Sequence, residues 1–501
     1  MGRVKAAILL AALWAVAVRA ISTQFEITTV SARSSTTGLA GRMPEGFDAA
    51  VEAAVRQIDA IEAETLRQME LTSKDKVGQL RTLGKLMLND KHLSVNQNQA
   101  CNFCHAPWTG FSGGIETLNK TTVSYPGSVG TRFGPRNPQS YGYSTFAPVL
   151  HYNPLRNEFI GGNFWDMRAT GYRLQNPAAE QAQGPPITPW EMGFADSACV
   201  AYRLSQVPYR ALFETVWGAD SFSIHWPQDV EKVCSTPGPA PQNDPYPLHL
   251  SPADRQKANA AFDAFGLSAA AYEAGSDVSP FSSKFDYVKA GIVKFTAQEQ
   301  RGYDVFRGRA MCSNCHIDKG PGDQPLFTDF SSSNVGVPRN PDQQYFYEIT
   351  PDDSGYVVNP AGAAYVDKGV GAFLREAEKQ NLNAAWRGHT ADFDGKFQVP
   401  TLRNVDMRPT PNFVKAYMHN GYFKSLKEVV HFYNTRDVLP RCKPGDPGEK
   451  ATCWPPPEDP TNMNTMEVGD LGLTPQQEDD LVAFLKTLTD NYQPPKSPAK
   501  K

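Results

Sequence analysis

The sequence has no apolar run long enough to cross a bilayer, no basic tract and little charge imbalance, with 49 Lys and Arg against 53 Asp and Glu. Its most apolar segment, Ala6 to Val18, falls short of the ~20 residues a spanning helix needs. Nucleic-acid binding has nothing to rest on, because no Lys/Arg cluster or arginine-rich face stands out. Histidine is scarce, 9 in all, and cysteine scarcer at 8, so the places where the two meet carry information.

They meet twice. Cys101-Asn102-Phe103-Cys104-His105 returns as Cys312-Ser313-Asn314-Cys315-His316. Two cysteines three apart supply thioethers to the vinyl groups of a haem, and the histidine directly after them supplies an axial iron ligand. Zinc sites and redox dithiols also use paired cysteines. Zinc does not need histidine directly after the second cysteine, however, and a thioredoxin-type dithiol belongs in a βαβ pattern. The two copies predict two covalently bound haem c groups with His105 and His316 as proximal ligands.

Attachment of this type belongs outside the cytoplasm, and the first residues read as an export signal. Arg3 and Lys5 precede the apolar segment, and Val18-Arg19-Ala20 offers a cut after Ala20. A protein of the bacterial periplasm, not membrane-spanning, is expected. In that oxidising compartment the remaining Cys199, Cys234, Cys442 and Cys453 suggest disulfides, and proximity favours Cys199 with Cys234 and Cys442 with Cys453. Four buried thiols are the alternative.

After a signal peptide over 1–20, residues 21–75 read as a polar lead-in and an N-terminal helix, with Val51, Val55, Ile58 and Ile61 on one face. Leu80, Leu83 and Met87 mark a second helix before the first motif. From His105 to about Phe295 the chain is dense in Gly, Pro, Asn and Tyr with few periodic segments, and the prolines of 235–252 mark a surface loop. Thr296 with Glu299 forms a capping box for a helix carrying Tyr303 and Phe306 into Cys312. Thr474, Pro475 and Gln477 open a last helix with Leu481, Phe484, Leu485 and Leu488 inward, and the proline-rich 439–460 reads as a loop. A helix before the motif and one at the chain end is how a small cytochrome c encloses its haem. The expected fold is mainly α: two cytochrome c-like haem domains with long irregular loops, over 76–295 and 296–490, followed by a tail at 491–501.

With both haem motifs in this order, the chain resembles the bacterial dihaem cytochrome c peroxidase and MauG family. The likeness covers most of 76–490. It rests on Leu83-Gly84-Lys85, Gly134-Pro135-Arg136-Asn137, Phe164-Trp165-Asp166, and Glu180-Gln181-Ala182 leading to Pro189-Trp190-Glu191-Met192. In the second half it includes Val399-Pro400-Thr401-Leu402-Arg403-Asn404-Val405 and Met418-His419-Asn420-Gly421. The resemblance implies that Trp165 is an electron relay between the haems, and that Gln181, Pro185 and Glu191 stand over the open face of the N-terminal haem. Taken singly, Trp165, Gln181 and Glu191 read more readily as a core aromatic, a helix-surface amide and a solvated charge; their joint spacing within the family pattern reverses that preference. The family's interdomain calcium ion would sit near Asn137, although the segment from Val405 to His419 is longer than the common pattern. Arg136 and Arg168 are candidates for haem propionates or for fold-stabilising pairs.

Two departures make the haems unequal. Many family members place a histidine just before Gly134-Pro135-Arg136-Asn137 that blocks the first haem; here the matching place is near Thr131, and no histidine occurs between His105 and His151. The N-terminal haem is therefore expected to be open. In the helix after His419, where peroxidases use methionine and MauG-like members tyrosine, the matching residue is Tyr433; Met407, Met418 and His431 are the alternatives. An anionic oxygen donor favours oxidised iron, whereas a thioether raises the potential. The expected activity is peroxide-dependent oxidation, with hydrogen peroxide at the N-terminal haem and a small cytochrome c or copper protein as electron donor. The alternatives are MauG-like oxidation of side chains in a partner protein substrate and a non-enzymatic electron-transfer cytochrome.

Overall fold

Helix signals at both ends of the chain are realised locally. In the computed structural model, Asp75 accepts from the Gly78 amide and caps Lys76–Asn89, while Thr296 and Thr474 close full capping boxes on Ala297–Arg307 and Pro475–Lys486. The structure describes residues 47–69, 75–319, 324–379, 382–383 and 386–495. The expected signal peptide and the polar lead-in up to residue 46 lie outside the described residues. The described residues form one compact unit.

The fold is mainly helical. Among the described residues the strands are two short antiparallel ladders, His151–Asn153 with Glu158–Ile160 and Ser332–Ser333 with Phe397–Gln398. No described helix is long and apolar enough to cross a membrane. The expected helix Phe47–Met69 is present, and 439–460 holds no helix. The composition misled in one place: Pro252–Glu273 is a 22-residue helix inside the stretch expected to be irregular. Ser251 caps it and Pro252 takes its first turn. Its buried face is largely alanine (Ala258, Ala261, Ala264, Ala269, Ala270), which leaves little hydrophobic periodicity to read.

Each haem motif follows a helix pressed against a second one. Gly84 on Lys76–Asn89 meets Pro252–Glu273 so closely that a Cβ would lie 2.0 Å from the Ser268 carbonyl oxygen; Gly302 on Ala297–Arg307 meets Pro475–Lys486 with 1.9 Å to that of Asp480. Only glycine permits either approach. Two buried clusters result, one including Leu83, Met87, Phe213, Phe265 and Tyr272, the other Phe285, Phe306, Phe327, Phe432, Trp454 and Phe484.

Polar contacts tie the two regions together. The Asn137 amide donates to the His419 carbonyl at 2.7 Å. The buried Lys415 ammonium donates to the carbonyls of Thr109 (2.8 Å), Met407 (3.0 Å) and Asn404 (3.4 Å). Arg136 is clamped by Asp166 and Asp367.

Candidate active site

Both motif histidines are oriented by a backbone carbonyl. Nδ1 of His105 lies 3.2 Å from the Phe111 oxygen, and Nδ1 of His316 3.0 Å from that of Phe327. A carbonyl only accepts, so Nδ1 carries the hydrogen and Nε2 keeps the lone pair a metal requires. Burial lowers both imidazole pKa values against the opposing pull of these carbonyls. Cys101, Cys104, Cys312 and Cys315 take part in no disulfide. The other four form Cys199–Cys234 and Cys442–Cys453, the pairing that proximity favoured.

A cavity of about 880 Å³ reaches both motifs and is lined by Cys101, Cys104, His105, Cys312 and His316. A smaller one of about 90 Å³ adjoins Cys312, Cys315 and His316. Cofactor clefts typically span ~300–1,000 Å³. Two thiols, an imidazole with Nε2 available and enclosed space at each motif fit one covalent haem at each.

Gln181, Pro185 and Glu191 line the large cavity together with the first motif. Gln181 stands on Pro177–Ala182, capped by Asn176, and Pro185 on the turn Gly184–Ile187. The Glu191 backbone is held by the Ser128 amide, 2.7 Å from its carbonyl. Burial raises the Glu191 carboxyl pKa, and Arg168 opposes the shift. Thr131 lines neither cavity, and the histidines on the large cavity are His105 and His316.

Trp165 lines both cavities, its indole donating to the Asn137 carbonyl at 3.0 Å. Tyr433 and Met418 also line both, whereas His431 and Met407 line neither. Both nitrogens of His431 are engaged, 2.9 Å from Glu478 and 3.0 Å from the Ala451 carbonyl. Of the four ligand candidates, Tyr433 and Met418 are the two on the cavity walls. Burial holds the Tyr433 phenol above its ordinary pKa. His419, buried and stacked on Phe397 with ring centroids 3.5 Å apart, lines the smaller cavity. The two arginines divide. Arg136 spends its donors on Asp367 (2.7 and 2.8 Å) and Asp166 (2.6 Å), the fold-stabilising role. Arg168 gives Nη1 to Asp166 at 2.9 Å and lies over the Phe164 ring. Burial alone would raise Asp166, but the two arginines outweigh it and hold its carboxyl at about 2.

Comparison with known proteins decides the family. The chain is 32% identical over 423 residues to the methylamine utilization protein MauG of Paracoccus denitrificans, covering 83% of this chain and 90% of that protein. The chain belongs to the di-haem cytochrome c peroxidase and MauG family. The family's model, described as di-haem cytochrome c peroxidase, matches residues 79–292. The cytochrome-c peroxidase IdrP1 of Denitromonas iodatirespirans is 27% identical over 413 residues, 81% of this chain and 80% of that one. Among solved structures, the diheme peroxidase BthA of Burkholderia thailandensis superposes with a TM-score of 0.60 at 25% identity, covering 84% of this chain and 90% of that one. As a member, the chain is an oxidoreductase of the dihaem, peroxide-using kind.

Sequence reasoning missed Glu273, the last residue of Pro252–Glu273. It is 1% exposed and lines the large cavity. Burial raises its carboxyl to about 8, against a 3.1 Å hydrogen bond from Ser144. The one available signal was an acid at a helix C-terminus, where it opposes the helix dipole.

Proposed function

We propose that residues 1–20 export the chain to the periplasm, where the 76–295 region reduces hydrogen peroxide and the 296–490 region passes electrons to it. The observation that carries this reading is that Gln181, Pro185 and Glu191 share one cavity with Cys101, Cys104 and His105. Haem, when bound through Cys101 and Cys104 and through Cys312 and Cys315, would supply redox-active iron. Glu191 takes the proton from the near oxygen of peroxide and returns it to the far oxygen, which leaves as water. Gln181 donates a hydrogen bond to the peroxide. Pro185 offers no N–H and keeps that wall from competing for it. Trp165 carries electrons between the sites, and Tyr433 supports the oxidised state of the second.

Calcium is left out of the proposal. No cluster of three or more His, Cys, Asp or Glu suited to a metal occurs among the described residues.

Electron paramagnetic resonance of the diferric protein should show a high-spin signal, and stoichiometric peroxide should change its stopped-flow spectrum. Two low-spin irons with no response to peroxide would make the chain an electron-transfer cytochrome instead. Tyr433, on the walls of both cavities, favours a second reading in which the electrons come from tryptophan or tyrosine side chains of a partner protein. Steady-state turnover with reduced small cytochrome c separates the two, since only the first reading expects it to be fast.

A further inference from the structure

Beside Glu191 the cavity wall carries three oxidisable rings in sequence. The indole of Trp190 meets Tyr345 edge to face at 6.4 Å between centroids, and Tyr345 meets Tyr365 at 5.0 Å in the same manner. All three line the large cavity. Trp190 directly precedes Glu191, the residue proposed to handle the peroxide proton, so the row begins at the oxidising end of the cavity.

The row is held by the backbone on both sides. Arg132, 1% exposed, donates to the Pro189 carbonyl at 3.1 Å, and the Ser128 amide donates to that of Glu191. Across the cavity, Tyr345 belongs to the single turn Gln344–Tyr347. Its carbonyl accepts from Asn359 at 3.0 Å. Arg132 also binds Asp352 at 2.7 Å and Arg136 binds Asp367, so two buried cations fix the 352–367 segment to the first haem region. Rings held this way keep their separation through an electron transfer, which lowers the reorganisation it requires.

We propose that Trp190, Tyr345 and Tyr365 form an internal reductant store for the peroxide site, distinct from Trp165, whose place is on the wall shared with the second site. This rests on the peroxide-reducing reading above. When no external donor is available, Trp190 gives an electron to the site and is refilled by a phenol of the row. That phenol loses one electron to the indole and its proton to water in the cavity, leaving a neutral phenoxyl radical. Two such donations, one from Tyr345 and one from Tyr365, match the two electrons and two protons by which one hydrogen peroxide becomes two waters. A one-electron donor of the small cytochrome or copper-protein class later returns each phenoxyl to phenol.

The test uses the holoprotein with both haems attached, mixed with one equivalent of hydrogen peroxide without reductant, frozen, and read by electron paramagnetic resonance. The expected result is an organic radical signal whose hyperfine structure collapses when ring-deuterated tyrosine is incorporated. The double variant Tyr345→Phe/Tyr365→Phe should lose the deuterium-sensitive part. Trp190→Phe should lose that part too, although both phenols are intact, because their route to the site is cut. Peptide mapping after peroxide treatment reads the same prediction independently, as oxygenated Trp190, Tyr345 or Tyr365 in the wild type. A deuterium-sensitive radical of unchanged yield in the double tyrosine variant overturns the proposal. So does a visible-spectrum response to peroxide with neither radical nor oxygenated residues in the row. No response of the visible spectrum to peroxide overturns both this proposal and the peroxide-reducing reading.

Discussion

Replacing Glu191 by glutamine keeps the shape of the wall and removes only the ability to take up a proton. Positioned acid–base groups contribute ~10²–10⁴-fold, which is ~2.7–5.4 kcal/mol at ~1.36 kcal/mol per decade. Gln181 and the rest of the cavity are untouched, so the loss should fall on the rate of peroxide reaction and not on haem attachment. The pH profile adds a second check. Burial raises the Glu191 pKa above its ordinary 4.5 and Arg168 opposes that shift. Only the carboxylate can accept the proton, so the rate should fall as pH drops through the raised value, at higher pH than for an exposed glutamate. Arg168→Met removes the opposing charge and should move the falling limb further up; Glu191→Gln should abolish it. The assay is stopped-flow absorbance of the diferric protein against peroxide across the acid range, with haem content measured alongside. A Glu191→Gln protein that reacts at the wild-type rate with the same limb refutes the assignment.

Lys415→Met should cost ~1–3 kcal/mol in chemical denaturation, the penalty for one orphaned buried carbonyl. The Thr109 carbonyl keeps the Ser112 hydroxyl and that of Asn404 keeps the Met407 amide, but among the described residues that of Met407 keeps no donor. The disulfides close segments with sequence separations of 35 and 11. Removing Cys199–Cys234 should therefore cost ~4 kcal/mol and removing Cys442–Cys453 ~3 kcal/mol on the chain-entropy relation, read by the same denaturation. Tyr433→Met should raise the reduction potential of the second haem in a spectroelectrochemical titration, because thioether favours ferrous iron. An unchanged potential would leave Met418 as the ligand.

The haem motifs, the capping boxes at Thr296 and Thr474 and both disulfides were legible because each depends on a few residues close in sequence. Pro252–Glu273 was not, since alanine supplies its buried face and the apolar contrast that marks an amphipathic helix is weak. Within the cavity, Gln181, Pro185 and Glu191 could be placed through the family pattern of residues 180–192. Glu273, Asp367, Tyr345 and Tyr365 could not. Glu273, Tyr345 and Tyr365 reach the same cavity, and Asp367 the smaller one, from segments outside the haem motifs, and each alone looks like an ordinary acid or aromatic. The choice for Arg136 between haem propionates and a fold-stabilising pair likewise needed Asp367, 231 residues away.

Those long-range pairings also bear on the oxidant. Arg136 and Arg403 both line the large cavity, yet Arg136 is matched by Asp166 and Asp367, and Arg403 by Asp286 at 2.7 and 3.0 Å. Burial pushes the cavity carboxyls of Glu191 and Glu273 toward their neutral forms. These two cations are offset by buried carboxylates, and burial disfavours the charged forms of Glu191 and Glu273, which weakens the field the wall presents to an ion. Hydrogen peroxide is neutral and needs no steering; it needs one base that is partly ionised at working pH. The same cancellation gives an anionic competitor little attraction. An oxidisable wall of Trp190, Tyr345 and Tyr365 can then face the site without a neighbouring charge large enough to hold its electrons back.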